Sequence, residues 1–223
     1  PYIFATADIA RLLVAADHLL PTPRSPLRRE TFRLAIALLY TSGLRRGELV
    51  RLTVGDYDGR EQTILIRTSK FHKSRRLPLS RDAQHELDLY LRVRRQRGFP
   101  TTPDSALLWN RSRRGGRPYT GEAVRCELDA LFDATGIRTP AGARPRIHDF
   151  RHTFAVHALL RWYHHGVDPQ AKLPFLSTYM GHVSPVSTAY YLPFVAALAD
   201  AASLRFLCTC GALVTGSSAG EQP

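Results

Sequence analysis

In this 223-residue chain apolar residues recur mainly three and four positions apart, and the segment that departs from that rhythm is residues 65–79. There, two β-like runs around Leu65-Ile66 and Leu77-Pro78-Leu79 flank a polar tip that holds Lys70, Lys73, Arg75 and Arg76. Such a chain is restricted to helices packed around a small hairpin.

Punctuation divides the rest. Thr6 is placed to cap a helix carrying Ile9, Leu12, Leu13, Ala16 and Leu19, and Ser25-Pro26 to open a second one, with Phe32, Leu34, Ala35, Leu38 and Leu39, that Gly43 ends. A short amphipathic turn follows with Arg45, Glu48, Leu49 and Leu52; Arg45 and Glu48, three apart, share a face, so Glu48 can brace an arginine. After the hairpin, Ser80 caps a helix through about Arg95, with Leu87, Tyr90 and Leu91 as its apolar stripe and Arg92, Arg94, Arg95 and Arg97 on its polar side. Residues 99–118 read as a connector with a short strand at 106–109 and a basic tip at 111–114. Thr120 caps the next helix, which Gly136 closes, with Val124, Leu128, Leu131 and Phe132 facing inward.

Residues 148–162 again have helical period, with Phe150, Phe154, Ala158 and Leu159 toward a core and His148, Arg151 and His152 on a neighbouring face. Residues 176–180 form a helix ending at Gly181, and 187–191 a short helical segment presenting a tyrosine. An apolar, Ala-rich helix is predicted at 194–207, and residues 215–223 form a polar tail expected to be disordered. There is no internal repeat.

Composition narrows the partners. Lys and Arg number 31 against 19 Asp and Glu, and a net charge of +12 attracts a polyanion. No apolar run reaches membrane-spanning length, and Pro1-Tyr2-Ile3-Phe4 lacks the form of a secretory signal, so a soluble protein of the bacterial cytoplasm, associated with the nucleoid, is expected. Three cysteines, Cys126, Cys208 and Cys210, are too few for a disulfide framework and imply a reducing compartment; Cys208-Thr209-Cys210 has no second pair with which to hold a metal. The first residue is not Met, so the natural chain is expected to begin upstream or to be processed.

Three stretches carry chemistry: Gly43-Leu44-Arg45-Arg46-Gly47-Glu48, His148-Asp149-Phe150-Arg151, and Gly181-His182 with Tyr191 nine residues after the histidine. Two arginines can hold an anion through forked donors, two histidines can bond or shuttle protons, and a tyrosine hydroxyl can attack. That inventory suits phosphoryl transfer without a metal. Arg45 and Arg151 lie in apolar sequence, which favours partly buried heads that need an anion over surface ion pairs. His148 and His182, taken singly, would be core or capping residues, and His152, His157, His164 and His165 read as structural. Tyr190 and Tyr191 are adjacent, so one can reach a site while the other packs.

Together with the hairpin lysine, Lys70, these fragments stand in the order found in the tyrosine recombinase (phage integrase) family, which residues 1–200 resemble. Phe150 and Met180 stand where that family often has Leu, and residues 163–176 make a longer segment than it usually has before Gly-His, with the role of His164 and His165 open. The resemblance implies an α+β fold, mainly α, with a small antiparallel sheet carrying Lys70, and a catalytic set of Arg45, Lys70, His148, Arg151, His182 and Tyr191.

In the implied reaction Tyr191 attacks a DNA phosphodiester, a 5′ hydroxyl leaves, and a 3′-phosphotyrosyl link is held until another strand reverses the step. Arg45 and Arg151 would neutralise the nonbridging oxygens, His182 would add a hydrogen bond, Lys70 would protonate the leaving oxygen, and His148 would act as base or orient the phosphate. Glu48 would support from behind, and Arg46, Lys73, Arg75, Arg76, Arg113 and Arg114 would hold DNA. No metal, other cofactor, small-molecule substrate or membrane is implied. The partners are double-stranded DNA and further copies of the chain, as a tetramer on DNA. The family interval favours Tyr191 over Tyr190.

A site-specific recombinase of integrase or transposase type is therefore expected. The alternatives are strand relaxation of the type IB topoisomerase kind and a non-catalytic DNA-binding accessory protein. A catalytic domain over 1–207 and a tail over 208–223 are expected, without the helical N-terminal domain that commonly completes a clamp around DNA. The terminal apolar helix is expected either to dock on a neighbouring protomer or to fold back on its own domain.

Overall fold

The computed structural model of the chain describes residues 1–67, 74–112, 115–182 and 186–194. Helix α1 (Thr6–Asp17) leads to α2 (Arg28–Ser42) and the single turn α3 (Arg46–Leu49). Strands β1 (Tyr57–Asp58), β2 (Thr63–Ile66) and β3 (Arg75–Pro78) follow, then α4 (Arg81–Gln96). A second hairpin of β4 (Trp109–Ser112) and β5 (Gly115–Pro118) precedes α5 (Gly121–Thr135), α6 (Ile147–His164), α7 (Pro169–Met180) and the short α8 (Val186–Ala189). The fold is α+β and mainly α, as the family resemblance implied, with two small antiparallel sheets ordered β1-β2-β3 and β4-β5. In the first, Ile66 faces Arg75 and Thr63 faces Pro78.

Helix α2 is the centre. Phe32, Leu34, Ala35, Ile36, Leu38 and Leu39 are all fully buried, so apolar residues cover most of its circumference, and it packs against α1, α4 and α6. Phe4 stacks between Phe150 of α6 and Phe132 of α5, with ring centroids 4.5 and 5.8 Å apart. A second, smaller cluster joins Ala155, Val156 and Leu159 of α6 to Leu176 and Met180 of α7 and to Tyr191. This cluster fixes the last part of the described chain against the α6 surface.

Caps and stops follow the sequence reading at several points. Ser80 accepts from the Ala83 amide at 3.3 Å and Thr120 from the Ala123 amide at 3.1 Å. Gly43, Gly136 and Gly181 end α2, α5 and α7 with φ of +60°, +64° and +66°. Elsewhere the structure differs. Ala5, not Thr6, precedes α1, and the Asp8 carboxylate accepts its amide at 3.0 Å. Leu19 lies beyond α1, whose last residue is Asp17. Helix α2 begins at Arg28 rather than at Ser25-Pro26, and the Ser25 hydroxyl bonds the Tyr119 hydroxyl instead of capping the helix. The strand read at 106–109 begins only at Trp109; Ala106 forms an isolated bridge with Thr53. The helix read at 176–180 is the end of α7, which starts at Pro169 with Asp168 accepting the Gln170 amide at 2.8 Å, so the long segment is a turn plus added helix.

Arg94 is the largest departure. It was placed on the polar side of α4 but is 0 % exposed. Its guanidinium donates to the carbonyls of Ala106 at 2.8 Å and Leu107 at 3.0 Å and lies 5.7 Å from the Trp109 ring centroid, pinning the connector to the helix. Of the helix expected at 194–207 only Phe194 is among the described residues; the rest of it and the tail lie outside them.

The α2 stop generates a test. A Cβ at Gly43 would sit 2.6 Å from Phe154 Cδ1, whereas one at Gly136 would meet nothing within 4 Å. Gly136→Ala should cost about 1–2 kcal/mol, the left-handed backbone penalty alone, and Gly43→Ala about 1–3 kcal/mol more. Urea denaturation of both variants measures the difference; equal losses would show that Phe154 gives way freely.

Candidate active site

The C-terminal turn of α7 gathers the site. An α-helix leaves its last carbonyls without intrahelical partners, and here arginines from three distant segments fill them. Arg75 Nε donates to the Tyr179 carbonyl at 2.8 Å, Arg151 Nη2 to that of Met180 at 2.7 Å, and Arg45 Nη2 to that of Gly181 at 3.0 Å. Arg45 Nη1 also reaches the Met180 carbonyl at 3.4 Å. Arg151 Nη1 bonds the Gly43 carbonyl at 2.7 Å, tying the stop of α2 to the stop of α7. Gly181 is required on two counts: its φ is +66°, and a Cβ there would lie 2.8 Å from Arg75 Nη1.

Glu48 is the counter-charge. It is 3 % exposed, accepts the Arg45 amide at 3.0 Å and Arg45 Nη1 at 2.9 Å, and takes a two-pronged clamp from Arg75 at 3.1 and 3.0 Å. Burial alone would raise its pKa; the bonds from Arg75 and the Arg45 amide, with both guanidinium charges, outweigh that and hold it at about 2. Arg151 is 1 % exposed and, among the described residues, has no carboxylate within ion-pair distance. Burial, reinforced by the charge of Arg45, lowers it to about 9. Buried with neutral carbonyls as partners, it is electrostatically suited to an incoming anion.

His182 follows directly on this turn. Its amide donates to the Ser177 carbonyl at 2.9 Å and its Nδ1 lies 2.8 Å from the buried Thr188 hydroxyl. Burial and then the charges of Arg151 and Arg45 bring it down to about 4, so the ring is neutral near pH 7. His148, in the first turn of α6, is lowered by burial and by Arg151. Tyr191 is 3 % exposed, in the second apolar cluster, while Tyr190 is 53 % exposed. Burial raises the Tyr191 hydroxyl, against the charges of Arg151 and Arg45.

The structure thus brings Arg45, Glu48, His148, Arg151, His182 and Tyr191 together. Lys70, Lys73, Arg113 and Arg114 lie outside the described residues. Of the residues expected to hold DNA, Arg76 is exposed and 3.9 Å from Asp58, Arg46 lies in a groove, and Arg75 is turned inward onto Glu48. That groove, of about 660 Å³, is lined by Arg45, Arg46, Arg125, Arg144, Arg146 and His148, and so opens onto the site. Arg125, Arg144 and Arg146 went unread in the sequence because they lie in two segments whose proximity only the fold creates. His152, read as structural, has Nδ1 3.1 Å from the Tyr191 hydroxyl; its four-residue spacing from His148 was the available signal. Among the described residues no group of three or more His, Cys, Asp or Glu could hold a metal ion, and no helix is long and apolar enough to cross a membrane.

Comparison with known proteins gives a family model, the phage integrase family, matching residues 6–194. The chain is 38 % identical to y4rE of Sinorhizobium fredii, named an integrase/recombinase, over 93 % of this chain and 64 % of that protein. It is 34 % identical to tyrosine recombinase XerD of Mycobacterium leprae over 71 % of this chain and 46 % of that protein. The crystal structure of XerA recombinase superposes with a TM-score of 0.65 at 24 % identity, covering 86 % of this chain and 58 % of that one. XerH bound to its difH substrate superposes at 0.66 and 21 % identity, covering 91 % and 53 %. At these identities the solved structures show a shared fold, and the chain spans less than two thirds of the length of each of these four proteins.

The Glu48 clamp predicts a pH dependence. Its folded pKa of about 2 lies below the ordinary 4.5, so its stabilisation is complete above about pH 4.5 and is lost as pH falls toward 2. Glu48→Gln should lose roughly 3 kcal/mol at pH 7, and the gap to the unsubstituted protein should narrow as pH drops through that window. A gap independent of pH in chemical denaturation would count against the clamp.

Proposed function

This chain belongs to the phage integrase family, and we propose that it is a site-specific recombinase that cuts and rejoins double-stranded DNA through a 3′-phosphotyrosyl link on Tyr191. The observation that carries this reading is the convergence, at the end of α7, of a buried arginine with no carboxylate at ion-pair distance among the described residues, a second arginine braced by Glu48, two neutral histidines and a tyrosine. A phosphodiester seated there would meet Arg45 and Arg151 on its nonbridging oxygens. With His182 Nδ1 engaged by Thr188, its Nε2 is the nitrogen that would donate to the phosphate. Lys70 would protonate the 5′ oxygen as it leaves, the role the resemblance gives it.

The partner is DNA. The basic groove beside Arg45 offers a path for backbone phosphates, through Arg46, Arg125, Arg144 and Arg146, and the net charge of +12 supports it. Arg76, Lys73, Arg113 and Arg114 would add phosphate bonds from the two hairpins. Names among the relatives, integrase/recombinase and tyrosine recombinase, and a similar fold solved on a recombination site, support the same substrate. The working form would be a tetramer on two duplexes, acting in the bacterial cytoplasm without a metal.

A library of nicked duplexes of randomised sequence tests the reading, because a strand that loses its short 3′ flank after cleavage stays attached to protein. Covalently held duplexes should be recovered in the presence of EDTA. Tyr191→Phe should abolish attachment while leaving DNA affinity intact, and Tyr190→Phe should retain it. Arg151→Ala should slow attachment about 10²–10³-fold. Attachment that survives Tyr191→Phe, or that requires a divalent metal, would overturn the proposal.

A further inference from the structure

We infer that His152 is the general base for the nucleophile, taking the Tyr191 hydroxyl proton on Nδ1 as the phenolic oxygen bonds to phosphorus. The inference rests on the reading of Tyr191 as nucleophile and departs from the role for His148 that the family resemblance left open. Helix α6 presents His148 and His152 four residues apart on one face, with ring centroids 4.7 Å apart, edge to face. Only the second is bonded to the tyrosine among the described residues: His152 Nδ1 lies 3.1 Å from Tyr191 Oη. A phenol needs an acceptor for its proton, and an imidazole with its hydrogen on Nε2 offers one at Nδ1.

The surroundings keep that acceptor available. Burial first, then the neighbouring His148 and Arg146 hold His152 at about 4, with Asp149 opposing them. The Tyr190 and Tyr191 rings face it from the segment after α8, at 6.1 and 5.5 Å. The ring is therefore neutral near pH 7, and the negative charge of a bound phosphodiester would raise its basicity at the moment it is needed.

In the step, the Tyr191 Oη–P bond forms and the P–O5′ bond breaks. The phenolic proton passes to His152, which becomes imidazolium, and the leaving oxygen takes its proton from the acid assigned to Lys70. The reverse step returns the His152 proton to the departing tyrosine. Each cycle leaves atoms and charge balanced.

The test uses a duplex recovered with the unsubstituted protein, so failure of the phosphotyrosyl reading would already be evident as absence of any adduct. His152→Ala and the bulkier His152→Gln are compared with it in single-turnover attachment, with DNA affinity measured in parallel. Both variants should bind DNA equally well and attach it roughly 10²-fold more slowly at pH 7. Their rates should rise about tenfold per pH unit as hydroxide replaces the base, whereas the unsubstituted profile stays flat, and added imidazole should restore part of the rate of His152→Ala. An unchanged or faster rate in either folded variant would overturn the assignment. So would a slower rate with an unaltered pH profile and no rescue by imidazole, the mark of a packing role.

Discussion

Everything in the site hangs on the unpaired carbonyls at the end of one helix. The last turn of α7 carries the negative end of a helix dipole, and Arg45, Arg75 and Arg151 answer it from three segments far apart in sequence. Three guanidinium groups at such close quarters repel one another. Glu48 offsets part of that repulsion, and the carbonyls of Tyr179, Met180, Gly181 and Gly43 share the rest. The arrangement makes the helix terminus and the arginines mutually dependent: neither would be satisfied alone.

Helix α6 couples this polar assembly to the core. Its residues Phe150 and Leu159 are buried in apolar clusters, Arg151 reaches between two helix ends, and His148 and His152 line the next face. Rotation of the helix would expose apolar side chains before it moved an arginine by much, so the orientation of the polar groups is held by hydrophobic burial. Tyr191 is fixed similarly, by packing its ring into the second cluster while its hydroxyl points to α6.

Local signals were legible where the physics is local. Gly43, Gly136 and Gly181 read as stops because a left-handed residue at a helix end is a property of a few neighbouring residues, and Ser80 and Thr120 read as caps for the same reason. The motif residues Arg45, His148, Arg151, His182 and Tyr191 were found by order and spacing, and the fold collects them. What escaped depends on distant partners. Arg94 looked like surface on its helix because its acceptors belong to a connector twelve and thirteen residues away. The inward turn of Arg75 depends on Glu48, 27 positions earlier, and the bond of His152 on Tyr191, 39 positions later. Thr6 lies inside the helix, behind Ala5, whose amide is taken by the Asp8 carboxylate one turn on, a competition that propensity alone does not decide.

The charge assembled around α7 has a consequence for what the site can stabilise. Among the described residues at this turn, three guanidinium groups against one ionised carboxylate leave an excess of two positive charges, and His148 and His182, both depressed below their ordinary range, add none near neutral pH. A phosphodiester brings one negative charge, but a five-coordinate phosphorus attacked by a deprotonated oxygen carries two. In the proposed reaction these groups would keep positive charge in excess over the bound ground state and meet the second negative charge as it develops, a mismatch that favours passage over binding.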